Sequence, residues 1–276
     1  YCLSLVRPSG EVMTGVSEQG HSLFRIAMRS LLSSKATTTA LALMAIVVLL
    51  TLAAPLLSPW DIDSTDWDNV ATSPSLETAH YFGTDDVGRD IFVRTLYGGR
   101  ISLLVGLSAT LVSLVIGVFW GAMAGYAGGR TDQLMMRFVD VMYAMPFMFF
   151  VILLMVFFGR NIFLIFIAVG AVNWLDMARI VRGQTLSMKH REFVEAARAG
   201  GVSNLNIIRR HIIPNLLGVV IVYVTLTIPQ VILVESFLSF LGLGVQEPMT
   251  SWGALVNDGA ALMESAPWTL FFPAVF

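Results

Sequence analysis

Few side chains in this sequence are arranged for covalent or metal chemistry. The histidines, His21, His80, His190 and His211, are scattered, and a metal site assembled from them is disfavoured. The single cysteine, Cys2, supports neither a disulfide framework nor a cysteine metal cluster. No GxxxxGK loop followed by Ser or Thr is present, so the chain lacks a phosphate cradle of that kind. HExxH and GxSxG are missing as well. No catalytic, cofactor-binding or metal residues are therefore expected, and the chain is expected to perform no chemistry of its own.

The most informative segment is 190–215, HREFVEAARAGGVSNLNIIRRHIIPN. Residues 190–199 are good helix formers, and Gly200 and Gly201 break the pattern because glycine disfavours helix interiors and permits sharp turns. Ser203 is placed to N-cap a second short helix, and Pro214 to open the next long one. The expected product is a helix–turn–helix elbow. Ala196, Ala197 and Ala199 give it a small-residue surface, and Glu195 and Arg198 can hydrogen-bond outward, which suits docking into a partner's groove.

A second set of polar residues lies in apolar surroundings: Asp140, Asp176, Arg179 and Glu235. Charges there are costly in lipid and should face protein or water. Asp176 and Arg179, three apart on one helical face, are expected to pair as a structural clamp above the elbow. Glu235 is a gate candidate. Gly106, Gly117, Gly121 and Gly125 permit close helix approach, either to a partner subunit or within the chain's own bundle. Pro146 and Pro229 are expected to kink their helices. The run 145–158 reads as lipid-facing and core packing.

The elements that hold these residues follow from composition. The chain has 276 residues, 56% hydrophobic and 13% charged. A soluble domain carries about 25% charged residues, so lipid is the main solvent. Net charge is -2, which gives no pull toward nucleic acid. Residues 1–20 lack the apolar core of a cleavable signal peptide. Crossing a bilayer takes roughly 20 apolar residues, and five stretches qualify: about 36–57, 101–125, 138–158, 161–181 and 215–240. A sixth starts near Pro267, but PWTLFFPAVF is too short to span, so its helix is expected to continue past Phe276. The opening Tyr1 need not be the natural start.

Lysine and arginine set the orientation. With the N-terminus inside, 1–35, 126–137 and 179–215 face the cytoplasm and hold all but four of the 17 basic residues. Those four are Arg89, Arg94, Arg100 and Arg160. Residues 22–33 form a basic amphipathic pattern that reads as an interfacial helix, or more plainly as a frayed tail. The first outer loop, about 58–99, is acidic and rich in aromatics. It is suited to covering a pore mouth or meeting a soluble partner, although a solvated structural loop is the plainer reading.

Glu195-Ala196-Ala197, with Gly201 and Pro214, resembles the EAA loop of permease subunits in bacterial ABC importers. His211 and Ile213 stand where isoleucine and leucine are usual, neither expected to affect docking. FGTDDVGRD (82–90), GGRISL (98–103), WLDMARIVRGQTL (174–186), ESFLSFLGLG (235–244) and SWGALVNDG (251–259) extend the resemblance to the peptide and nickel branch, nearest the C-type oligopeptide permeases. It covers nearly all of 36–276.

The resemblance implies an all-α, six-helix type I permease bundle in the bacterial inner membrane. The divisions are 1–35, an N-terminal cytoplasmic segment; 36–99, first span and acidic periplasmic loop; and 100–276, the core with a coupling loop at 182–215. It implies a second permease subunit and two ATPase subunits that bind ATP and Mg. An extracytoplasmic binding protein would deliver peptide. The coupling helix is expected at about 191–213, with Glu195, Ala196, Ala197, Arg198 and Gly201 at the contact. Nickel chelates or cell-wall peptides are alternative cargoes. A secondary transporter and an intramembrane enzyme are the readings from other classes, disfavoured by the missing inverted repeats and reactive-residue patterns.

Overall fold

The computed structural model describes residues 34–158 and 162–276. The expected interfacial helix at 22–33, with Cys2 and His21, lies outside them. Among the described residues every regular element is helical: α1 Lys35–Leu57, α2 Ile91–Ala127, α3 Gly129–Ala144, α4 Phe147–Phe158, α5 Ile162–Met188, α6 Glu192–Ala199, α7 Asn204–Ile207, α8 Ile213–Phe240, α9 Trp252–Ala261 and α10 Trp268–Val275. The chain divides into two compact units at Val47. In the first, the described residues are the opening turns of α1, where Leu41, Leu43, Met44 and Ile46 are all exposed. Exposure of so many apolar side chains suits a helix surrounded by lipid.

The second unit, Val48–Phe276, is built around α2. Asp90 caps it, its side chain accepting from the Val93 N–H at 2.8 Å. Gly128, at φ +66°, ends it. At 37 residues, α2 is about 56 Å long, well beyond the hydrocarbon core of about 30 Å. The expected span 101–125 is thus the middle of a longer rod. Three described helices are long and apolar enough to cross a membrane: α1, α2 and the continuous run Asn204–Phe240.

The glycines of α2 settle their own question. A side chain on Gly117 would strike Met177, one on Gly121 the carbonyl of Ala178, and one on Gly125 Thr185, all on α5; Gly106 abuts Ile232 on α8. These glycines serve packing within the bundle.

One expected helix boundary differs in the structure. The stretch 138–158 is not one helix. Only Gly128 separates α2 from α3, which begins inside the expected inner loop 126–137. Then α3 stops at Ala144, and the axis turns by 84° into α4. Pro146 is the cause, because its ring drives the preceding residue out of the helical region. Met145 accordingly sits at φ -73°, ψ 130°. By contrast, α8 continues through Pro229 as a single helix.

Pro214 lies in the first turn of α8, as expected, although α8 is continuous with the short helix before it. A π-helical turn, Ile208–Ile212, joins α7 to α8, with the N–H of Ile213 bonded to the carbonyl of Ile208. Such a widened turn accommodates a proline whose ring would crowd a regular helix.

The loop 58–90 is a folded element. The Asp66 N–H donates to the Gly88 carbonyl at 2.9 Å, and the Ala71 N–H to that of Asp85 at 2.8 Å. Trp268 of α10 donates its indole N–H to the Thr84 carbonyl at 3.1 Å. Phe82 stacks on Phe272 at 4.0 Å.

Candidate functional site

In the elbow, Val194 on α6 is fully buried with Val118, Tyr126, Val181, Ile207 and Ile212. Burial of one such aliphatic side chain contributes about 1.5–3 kcal/mol where the alternative is water. It fixes which face of α6 turns inward. Glu195, Ala196, Arg198 and Ala199 are exposed, and Ala197 is half-buried against the same cluster.

The turn that ends α6 is a Schellman motif. The Val202 N–H donates to the Ala197 carbonyl at 3.1 Å, and that of Gly201 to Arg198 at 3.0 Å. Gly201 sits at φ +77°, where a Cβ is disfavoured, whereas Gly200 has an ordinary φ of -74°. Of the two glycines, only Gly201 is demanded by conformation. Ser203 holds the N-cap position of α7 with extended backbone, yet its side chain makes no capping bond. The Tyr126 hydroxyl and Asn204 Oδ1 lie 3.1 Å apart, and the Arg198 guanidinium lies 5.5 Å over the Tyr126 ring. Beside them is a cleft of about 460 Å³, lined by Met123, Tyr126, Met135, Arg198, Asn204 and Leu205. A small exposed helix beside an open cleft can receive a partner surface.

A model of binding-protein-dependent transport system inner membrane components matches residues 117–276, which include the elbow. A model of the N-terminal transmembrane domain of oligopeptide transport permease C matches 22–74. The oligopeptide transport system permease protein OppC of Haemophilus influenzae is 55% identical over 94% of this chain and 83% of the relative. OppC of Escherichia coli K12 is 52% identical over 99% and 92%. The chain belongs to this family of ABC-importer permeases, in the C-type oligopeptide branch. A dipeptide permease, DppC of Bacillus subtilis, is 45% identical over 91% of this permease and 78% of its own length.

The permease places the other sequence-picked residues differently from one another. Arg179 does not pair with Asp176. It bonds Asp140 of α3 at 2.8 Å and lies 4.2 Å over the Tyr143 ring. Spacing along one helix gave the wrong partner because α3 packs alongside. Glu235 is fully buried, accepting from Ser239 at 2.7 Å and from Ser102 at 3.2 Å. Ser239 also contacts Ser251, the N-cap of α9, at 3.2 Å. The carboxylate thus ties α2, α8 and the start of α9 together.

Charged pairs that spacing along the chain did not reveal include Arg182 with Asp132 and two assemblies around the loop 58–90. Asp85 accepts from Arg89 and Arg94, each at 2.7 Å, and Arg89 reaches Glu247 at 2.7 Å. The hydrogen bond and charge of Arg89 hold the Glu247 carboxyl below its ordinary range. His80 is fully buried, with Nδ1 2.8 Å from Asp90 and its ring stacked on Trp60 at 4.4 Å. Burial pushes the Asp90 carboxyl up, against the opposing hydrogen bonds from Val93 and His80. The charges were visible in FGTDDVGRD, but their partner Glu247 is 158 residues away from Arg89.

Proposed function

We propose that this permease is one half of a pathway for ATP-driven uptake of short peptides, coupled through α6 to a separate ATPase subunit. The observation that carries the coupling is the elbow itself, whose Glu195, Ala196 and Arg198 surface is exposed while Val194 and the Gly201 turn hold it in place. In the assembly, two permease subunits enclose the path and two ATPase subunits bind ATP and Mg. A binding protein brings cargo to the opposite face. Ala197 supports the contact from behind, and the oligopeptide and dipeptide names of the relatives favour peptides as cargo. The basic-residue bias puts the N-terminus and the elbow in the cytoplasm. Glu235, tied to two serines, holds the outer ends of α2 and α8 at the mouth of the path.

The test uses Glu195→Lys and Gly201→Pro in the assembled transporter. Glu195 is exposed, so reversing its charge acts on docking rather than folding. Proline at 201 cannot reach φ +77° and loses the N–H that bonds Arg198. Both variants should reach the membrane, lose co-purifying ATPase and import peptide at least about 10-fold more slowly, the effect of roughly 1.4 kcal/mol of coupling. Normal uptake in both would remove the elbow from the mechanism.

A further inference from the structure

The break between α3 and α4 faces α5 across a cavity of about 270 Å³. Its walls are apolar at Met142, Met145 and Phe150, and polar at Tyr143, Asn173 and Asp176. Among the described residues of that lining, Asp176 is the one that carries charge. Arg179, the cation nearest in sequence, is engaged by Asp140, which leaves Asp176 without an ion-pair or hydrogen-bond partner among the described residues. Asn173 spends its amide N–H on the Val169 carbonyl at 2.8 Å, so its side-chain oxygen remains as an acceptor.

An unpaired carboxylate within an apolar helix calls for a cation or water. A second feature of the cavity has the same sign. The helix α3 ends at its edge, where the Met142 carbonyl accepts from the Met145 N–H at 3.3 Å and the other last carbonyls lack intrahelical donors. That end also carries about half a negative charge from the macrodipole. The apolar walls argue against a hard metal ion, which takes a shell of oxygen ligands. They suit an ammonium attached to a hydrocarbon-bearing residue. The volume is smaller than a typical ligand pocket of roughly 300–1,000 Å³, and so takes the end of a chain rather than a whole peptide.

We infer that Asp176 forms a subsite for the α-ammonium group of the transported peptide, with Asn173 and the end of α3 as further acceptors and the Met142, Met145 and Phe150 surface around the first side chain. This rests on the peptide-import reading. The free amino terminus of a peptide, with an ordinary pKa of about 7.7–8.0, carries its proton at neutral pH, and a carboxylate beside it strengthens that charge.

The experiment compares uptake of a tripeptide with its N-acetylated counterpart by the assembled transporter in vesicles, at saturating binding protein. Selection by the binding protein is then common to every permease variant. Losing one charge-assisted hydrogen bond of roughly 1.5 kcal/mol corresponds to about 10-fold. Asp176→Asn should therefore slow the free-amino tripeptide about 10-fold and leave the acetylated one unchanged. Asp176→Glu should restore much of the preference. Equal slowing of both peptides means a structural role and overturns the inference, as does no change in either. If the unaltered transporter imports neither peptide, the peptide reading fails and this subsite with it.

Discussion

Glu247 shows how a residue outside any helix can hold distant parts of the chain together. Its carboxylate meets Arg89, whose guanidinium also reaches Asp85, so that the loop after α8 is tied to the loop before α2. Its pKa is lowered from the ordinary 4.5, chiefly by the Arg89 hydrogen bond. The contribution is complete above that ordinary value and disappears as pH falls through the lower folded value. Glu247→Gln should therefore melt below the unaltered protein at pH 7, and the gap should close on acidification below 4.5. A gap that stays constant would show that the ion pair contributes nothing. The effect should be small, because Glu247 is 67% exposed and solvent screens the pair. The neighbouring Arg94 is almost wholly buried against Asp85, and a buried cation left unpaired is far costlier than an exposed one. Arg179 and Asp176 are the other lesson at this scale. Helical spacing permits their pairing, but the position of Asp140 decides against it.

At the scale of elements, the contact of α2 with α5 is the most extensive among the described residues. Between lipid-embedded helices there is little hydrophobic driving force, so close packing has to carry the association. Gly121 permits it: an added Cβ would lie 2.4 Å from the Ala178 carbonyl, which is backbone and cannot swing aside. Gly121→Ala should destabilise the subunit by about 1–3 kcal/mol, read as a lower melting temperature in detergent. Gly183→Ala on α5 is the internal control, since its added Cβ meets nothing within 4 Å. Alanine there removes a glycine penalty of up to about 1 kcal/mol, so stability should hold or rise. An equal loss in both variants would mean that the close approach is not what holds α2 to α5. In the elbow, the Schellman turn and the π-helical turn play complementary parts. The first reverses the chain after α6 with a single left-handed residue, Gly201. The second carries α7 into α8 without a break.

For the whole molecule, the absence of a phosphate-binding loop and of paired reactive residues leads to the expectation that the purified subunit hydrolyses no ATP, with turnover appearing only when its ATPase partners are added. Robust hydrolysis by the subunit alone would overturn the division of labour. The sequence by itself determined the membrane setting, the all-helical class and the elbow. Each depends on local rules: apolar run length against bilayer thickness, helix propensity, and glycine where the chain reverses. The EAA segment was legible through its resemblance to a family motif, which a contiguous stretch, Glu195 to Gly201, can carry. Only the tertiary structure decided the partners. It gave Arg179 to Asp140 and buried Glu235 between Ser102 and Ser239. It joined Arg89 to Glu247 and bent the chain by 84° at Pro146. Those outcomes depend on which helices lie side by side, and periodicity along one chain segment carries no information about its neighbour across space.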